Sequence, residues 1–101
     1  MPGFRFSKLA RLDLIDISNY TLDRWGVDQA IRYLDSLEKC FGLIAANPDI
    51  GRKCDHLRKG YRRIEHEKHV IFYRSDKTGI LIVRILHQRI LPEAKAMDDQ
   101  E

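Results

Sequence analysis

Four histidines (His56, His66, His69, His87) and two cysteines (Cys40, Cys54) are the side chains of this sequence best suited to bind a metal or attack a substrate. Zinc takes three or four such ligands, usually with two of them at a short local spacing such as Cys-x-x-Cys. Neither Cys-x-x-Cys nor His-x-x-x-His occurs here. His66 and His69 stand three apart about an expected turn, which sets them opposite each other at a hairpin end without supplying further ligands. No metal and no cofactor is therefore expected. For nucleophilic chemistry there is neither a Gly-x-Ser-x-Gly elbow nor a Gly-rich phosphate loop. Cys40 falls beside the apolar stripe of a helix, where a thiol acts as a small core side chain. Cys54 differs, because "GRKCDHLRKG" surrounds it with cations that would lower its pKa. Asp13, Asp16, Glu38, Glu65 and Glu67 form no catalytic motif and read as solvated faces.

A second group of reactive types sits in "GILIVRILHQR", Gly79 to Arg89. On a strand, alternation puts Ile80, Ile82, Arg84, Leu86 and Gln88 on one face and Leu81, Val83, Ile85, His87 and Arg89 on the other. Both faces are mostly apolar, so helices on one side leave the other to be covered by the C-terminal segment, a second subunit or a partner. Arg84 in mid-strand pairs with a carboxylate such as Glu65, reaches solvent along its stem, or faces a partner. His87 and Arg89 leave the sheet near the strand end, where a partner is more easily accommodated.

The elements that position these groups are legible in outline. Phe4-Arg5-Phe6 alternates as a short strand, and Ser7 stands as an N-cap. Ala10, Leu14, Ile17 and Tyr20 then mark a helix from Lys8 to about Arg24, ended by Trp25-Gly26, with Trp25 read as a plug closing the hairpin. Asp28 caps a second helix whose stripe is Ala30, Leu34, Leu37, Phe41, Ile44 and Ala45, with Arg32, Asp35, Glu38 and Lys39 outside. "NPDIGRK", 47–53, is loop. Strands are expected at Tyr61–His66, His69–Arg74 and Ile80–Arg89, joined by tight turns and hence antiparallel. The sum is an α+β two-layer fold, a helical hairpin on a small antiparallel sheet in the order β-α-α-β-β-β.

Composition sets the frame. A chain of 101 residues, 44% hydrophobic and 33% charged, is one globular domain over 1–101, with a core of about 4–91 and a tail at 92–101. Eighteen basic against fifteen acidic residues give a net charge of +3, compatible with an acidic partner. No apolar run approaches a bilayer span and no signal peptide is evident, so the expected location is the cytoplasm, with both cysteines as thiols. The basic residues are dispersed and no aromatic stacking platform adjoins them, which argues against a stand-alone nucleic-acid module.

Taken in order, "LDLIDISNYTLDRWGVDQAIRYLDSL", "NPDIGRKC", "GYRRIEHEKHVIFYR" and "ILIVRILHQR" resemble the ParE toxins of the RelE/ParE superfamily of bacterial toxin–antitoxin systems, over roughly residues 4 to 91. The resemblance implies a first strand, a helical hairpin and an antiparallel sheet. It further implies inhibition of DNA gyrase rather than an enzymatic activity. A ParD-like ribbon-helix-helix antitoxin would neutralise the toxin by wrapping it with a C-terminal segment. Operator DNA would be touched only through that antitoxin. The partner face is then expected at Arg74, Arg84, His87 and Arg89, with Trp25 as a further contact. The alternative is the RelE-like branch, ribosome-dependent mRNA endoribonucleases, for which Arg63, His87 and Arg89 are the candidate catalytic residues. Against it, Glu65 stands where that branch carries a Lys, His69 where an Arg is usual, and "LPEAKAMDDQE" has no terminal Tyr or His. A carboxylate there repels phosphate.

Overall fold

The computed structural model describes residues 3–101. Strand β1 (Phe4–Phe6) leads into helix α1 (Lys8–Trp25) and helix α2 (Val27–Ala46), followed by β2 (Arg52–Lys53), β3 (Arg62–His66), β4 (His69–Asp76) and β5 (Gly79–His87). A 3-10 turn at Ala94–Ala96 lies in the last segment. The five strands form one sheet in the order β1-β5-β4-β3-β2.

Ser7 starts α1 as its sequence position predicts, and also ties it to the sheet. Its hydroxyl accepts from Ala10 N at 3.0 Å and donates to Val83 O at 2.6 Å, while its own N–H donates to Ile82 O at 2.9 Å. Gly26, at φ 88°, is the whole connection between the helices. Its N–H ends α1 on Leu22 O and its carbonyl accepts from Ala30 N. Asp28 therefore lies inside the first turn of α2 rather than capping it, where its charge still suits the helix N-terminus.

Two further expectations change. The sheet is mixed, because β1 pairs in parallel with β5 (Phe4 against Ile80, Phe6 against Ile82) while the other pairings are antiparallel. A helical hairpin returns the chain to the far side of the sheet, so β1 meets the last strand on its free edge. Part of the expected 47–53 loop is strand β2, which adds Arg52 and Lys53 to the edge of β3.

Alternation along β5 also breaks. Phe72 faces Arg84 and Tyr73 faces Ile82, so Val83 is an extra residue, a bulge. The bulge shifts the parity by one. Ile80, Ile82 and Ile85 join Ile71, Tyr73, Leu37, Phe41 and Ile44 in the core under the helices. Leu81, Val83 and Leu86 join Val70, Phe72, Cys54, Leu57, Tyr61 and Met97 on the other face. Of the possible covers for that second face, the chain's own C-terminal segment supplies one, with Met97 fully buried. The pressure for an outside chain to cover it is correspondingly less than β5 alone implies.

Candidate functional site

The residues singled out by sequence fall in three places. Arg63, His87 and Arg89 converge: all three line one depression of about 200 Å³, floored by Phe72 and Leu86 and flanked by Leu91. The β3–β4–β5 register makes this meeting, since Arg63 sits opposite Phe72 and His87 opposite His69 at the same end of the sheet. The Arg63 guanidinium lies over the Phe72 ring at 5.5 Å, and its Nε is buried without a hydrogen-bond partner among the described residues. Its other side is 3.6 Å from Glu65, which is also held by Arg52. The carboxylate thus offsets part of the positive charge facing the depression. Arg89 is exposed and turns its backbone N–H to His87 Nδ1 at 3.1 Å.

Arg84 and Arg74 lie elsewhere and are engaged within the chain. Asp13 of α1 accepts from Arg84 Nε at 2.8 Å and Nη2 at 2.9 Å, and from the Ile85 backbone N–H at 2.9 Å. That carboxylate closes the edge of β5 beyond the end of β1, so Arg84 answers Asp13 and not Glu65. The hydrogen bonds to Asp13 outweigh burial and raise the Arg84 pKa further. Arg74 donates from Nε to Asp99 at 2.9 Å and pairs with Asp76 at 3.2 Å. A partner using either arginine would have to displace an acidic residue of this chain.

Trp25 is not a plug. It is 60% exposed at the helical turn, with the Lys68 ammonium 5.7 Å from its ring centroid. Tyr20 is equally exposed, so α1 buries Ala10, Ile17 and Thr21 rather than the full predicted stripe.

Beside Trp25, three histidines stand in one row on adjacent strands, His66 opposite His69 and His69 opposite His87. His66 Nε2 meets Ser36 Oγ at 2.9 Å, and His69 Nδ1 shares a hydrogen bond with the Tyr33 hydroxyl. Burial, then the neighbouring His87 and His66, bring His69 down to about 4. Burial likewise pushes Tyr33 up to about 12. Among the described residues no cluster of His, Cys, Asp and Glu is arranged to hold a metal ion. Nor is Cys54 activated by its basic loop. It is fully buried, and burial raises its pKa against the opposing charge of Arg63.

A larger concavity than that depression lies on the helical side, and sequence reasoning missed its Phe4 and Phe6 floor and its Ile15 wall. A groove of about 560 Å³ opens between α1 and α2 over β1, with Phe4, Phe6 and Phe41 as floor and Leu14, Ile15 and Leu34 as walls. Leu12, Ile15 and Leu22 of α1 and Ile31 of α2 are all exposed. The available signal was the surplus: Leu12, Ile15 and Leu22 are apolar yet fall outside the stripe that α1 turns to the sheet.

Residues 4–92 match the family described as the ParE toxin of the type II toxin–antitoxin system parDE. The chain belongs to the ParE toxin family. Toxin ParE1 of Mycobacterium tuberculosis is 46% identical over 88 residues, which cover 86% of this chain and 90% of that protein. Toxin ParE1 of Caulobacter vibrioides is 42% identical over 88 residues, 87% of this chain and 91% of that one. Among solved structures, a chain of the chromosomal ParDE toxin–antitoxin system of P. aeruginosa superimposes with a TM-score of 0.73 at 18% identity, covering 86% of this chain and 96% of its own. That likeness shows a shared fold. No helix among the described residues is long and apolar enough to cross a membrane.

Proposed function

We propose that this ParE-family toxin inhibits DNA gyrase in the cytoplasm and is neutralised by a ParD-like antitoxin whose amphipathic segment lies in the groove between α1 and α2. The groove carries the reading. It joins an aromatic floor to apolar walls on both helices, Leu14 and the exposed Ile15 on α1 and Leu34 on α2, which fits the i, i+3, i+4 anchors of a docked helix. Family membership and the ParDE assembly named for the P. aeruginosa structure support the partner. His87, Arg89 and Trp25 lie at the surface where an antitoxin continuing past the groove can reach them. Arg74 and Arg84 belong to that contact only if their internal pairs exchange.

A second reading has one observation in its favour, the convergence of Arg63, His87 and Arg89 on a single depression. An endoribonuclease would need that depression to hold a phosphate, and Glu65 beside Arg63 works against it. Purified toxin assayed in parallel on gyrase supercoiling and on ribosome-bound mRNA separates the two. Inhibited supercoiling with intact mRNA is expected, unchanged in Arg63→Ala and His87→Ala. Codon-specific cleavage abolished by the same substitutions, with gyrase unaffected, transfers the assignment to the RelE-like branch.

A further inference from the structure

Residues 96–101 cross the sheet face that the helices leave open, and alternate positions grip it. Arg84 Nη1 donates to Ala96 O at 2.9 Å. Met97 is fully buried in the cluster containing Tyr61, Phe72, Leu81 and Val83. Asp99 accepts from Arg74 Nε at 2.9 Å and from the Tyr61 hydroxyl at 3.0 Å. Glu101 accepts from Arg5 Nε at 2.9 Å, and its backbone carbonyl accepts from Arg11. Lys8 N donates to Gln100 O at 2.7 Å. The side chains of Asp98 and Gln100 point to solvent.

The surface beneath has a matching chemistry. Arg5, Arg11, Arg74 and Arg84 surround an apolar floor, and apart from the tail only Asp13 and Asp76 among the described residues pair with any of them. Asp99 and Glu101 supply the two negative charges that this set otherwise lacks. Strand and helix residues that fold the domain thus present a cationic rim around a hydrophobic slot, filled by a segment lying beyond the family-matched residues 4–92.

We propose that this face is a binding site for short acidic peptides, read as an apolar residue followed at the second and fourth positions by carboxylates, with residues 97–101 as its occupant in cis. The tail holds its place through tethering, at an effective concentration of about millimolar, so a matching segment offered in trans competes with it. The site is on the opposite face of the sheet from the helix groove and does not depend on the antitoxin reading.

Met97 reports on its own displacement, because the chain has only one other methionine, Met1. In full-length protein carrying ¹³C-methyl methionine, the Met97 methyl should start at a shift displaced by the Tyr61 and Phe72 rings. Unlabelled peptide AKAMDDQE should move it to the position of a solvated methionine. In Asp99→Asn, whose own tail is held less firmly, displacement should need roughly tenfold less peptide than in the wild type. The control AKAMDKQK, with both gripping carboxylates replaced, should displace nothing. A Met97 signal unmoved in Asp99→Asn by about 10 mM peptide, well above the tethered concentration, overturns the proposal. So does equal displacement by the control. A dimer at the protein concentration used, dissociated by the same peptide, would make the occupant a second copy's tail and overturn the cis assignment. Should Asp99→Asn fail to give a folded spectrum, the wild-type titration decides by the same criterion.

Discussion

At the scale of single residues, His69 is the group whose ionisation is most tightly bound to the fold. It faces Tyr33 of α2, His66 and His87 of the neighbouring strands, and feels the more distant carboxylates of Asp13 and Glu67. Burial and the two histidines win over the carboxylates, and its pKa falls from 6.5 to about 4. An unfolded chain therefore binds a proton at His69 between those values while the folded chain does not. Stability contributed by the neutral ring is present above pH 6.5 and is lost as pH falls from there toward 4. The ring is only half buried, so solvent screening holds the effect to about 1–2 kcal/mol. Urea unfolding at pH 7.5 and 4.5 should show this loss in the wild type and a smaller one in His69→Gln. An equal pH dependence in both would exclude His69 as the source. The same row ties the sheet to the helices, since His66 and His69 each hold one ring nitrogen against α2.

At the scale of elements, α1 is bound to the sheet by two polar contacts rather than by its apolar stripe alone. Ser7 joins its start to β5, and Asp13, nearly two turns on, joins it to Arg84 and the Ile85 N–H. Both partners of the ion pair are largely buried, with side-chain exposures of 17% for Arg84 and 13% for Asp13. Removing one partner strands the other. Asp13→Ala should cost about 3 kcal/mol in denaturant unfolding, and Asp13→Ala with Arg84→Met should recover a good part of it, since an apolar replacement of both leaves no buried charge. A double variant no more stable than the single one would mean that the Ile85 N–H, not the charge, carries the contact. The elements themselves were largely legible: Ser7, the Gly26 break and the α2 stripe obey local rules that need no tertiary knowledge. What was not legible follows from long-range geometry. Three residues of β1 carry no sign of whether they will pair parallel or antiparallel, and the Val83 bulge is fixed only when β4 and β5 meet. Trp25 misled for a different reason. Its size argues for burial, but the one-residue connection at Gly26 turns it outward.

At the scale of the whole molecule, the domain divides its apolar surplus unequally. The sheet face opposite the helices is closed by Met97, while the hairpin groove stays open with Ile15 54% exposed on its wall. An exposed side chain can be changed with little effect on folding, so the groove separates binding from stability in a way that the buried ion pairs cannot. Ile15→Asp should leave the melting temperature within about 4 °C of the wild type, because surface substitutions rarely exceed 0.5 kcal/mol. In complex with a ParD-like antitoxin the same carboxylate would be forced against Phe4, Phe6 and Phe41. Loss of one apolar anchor and burial of an unpaired charge together weaken binding by about 3 kcal/mol or more, on the order of a hundredfold in Kd by calorimetry. The proposed gyrase inhibition should persist in Ile15→Asp, and the proposed rescue by the antitoxin should be lost in cells expressing it. An antitoxin that binds Ile15→Asp as tightly as the wild type would move the interface off the hairpin and toward the end of the sheet where Trp25, His87 and Arg89 lie.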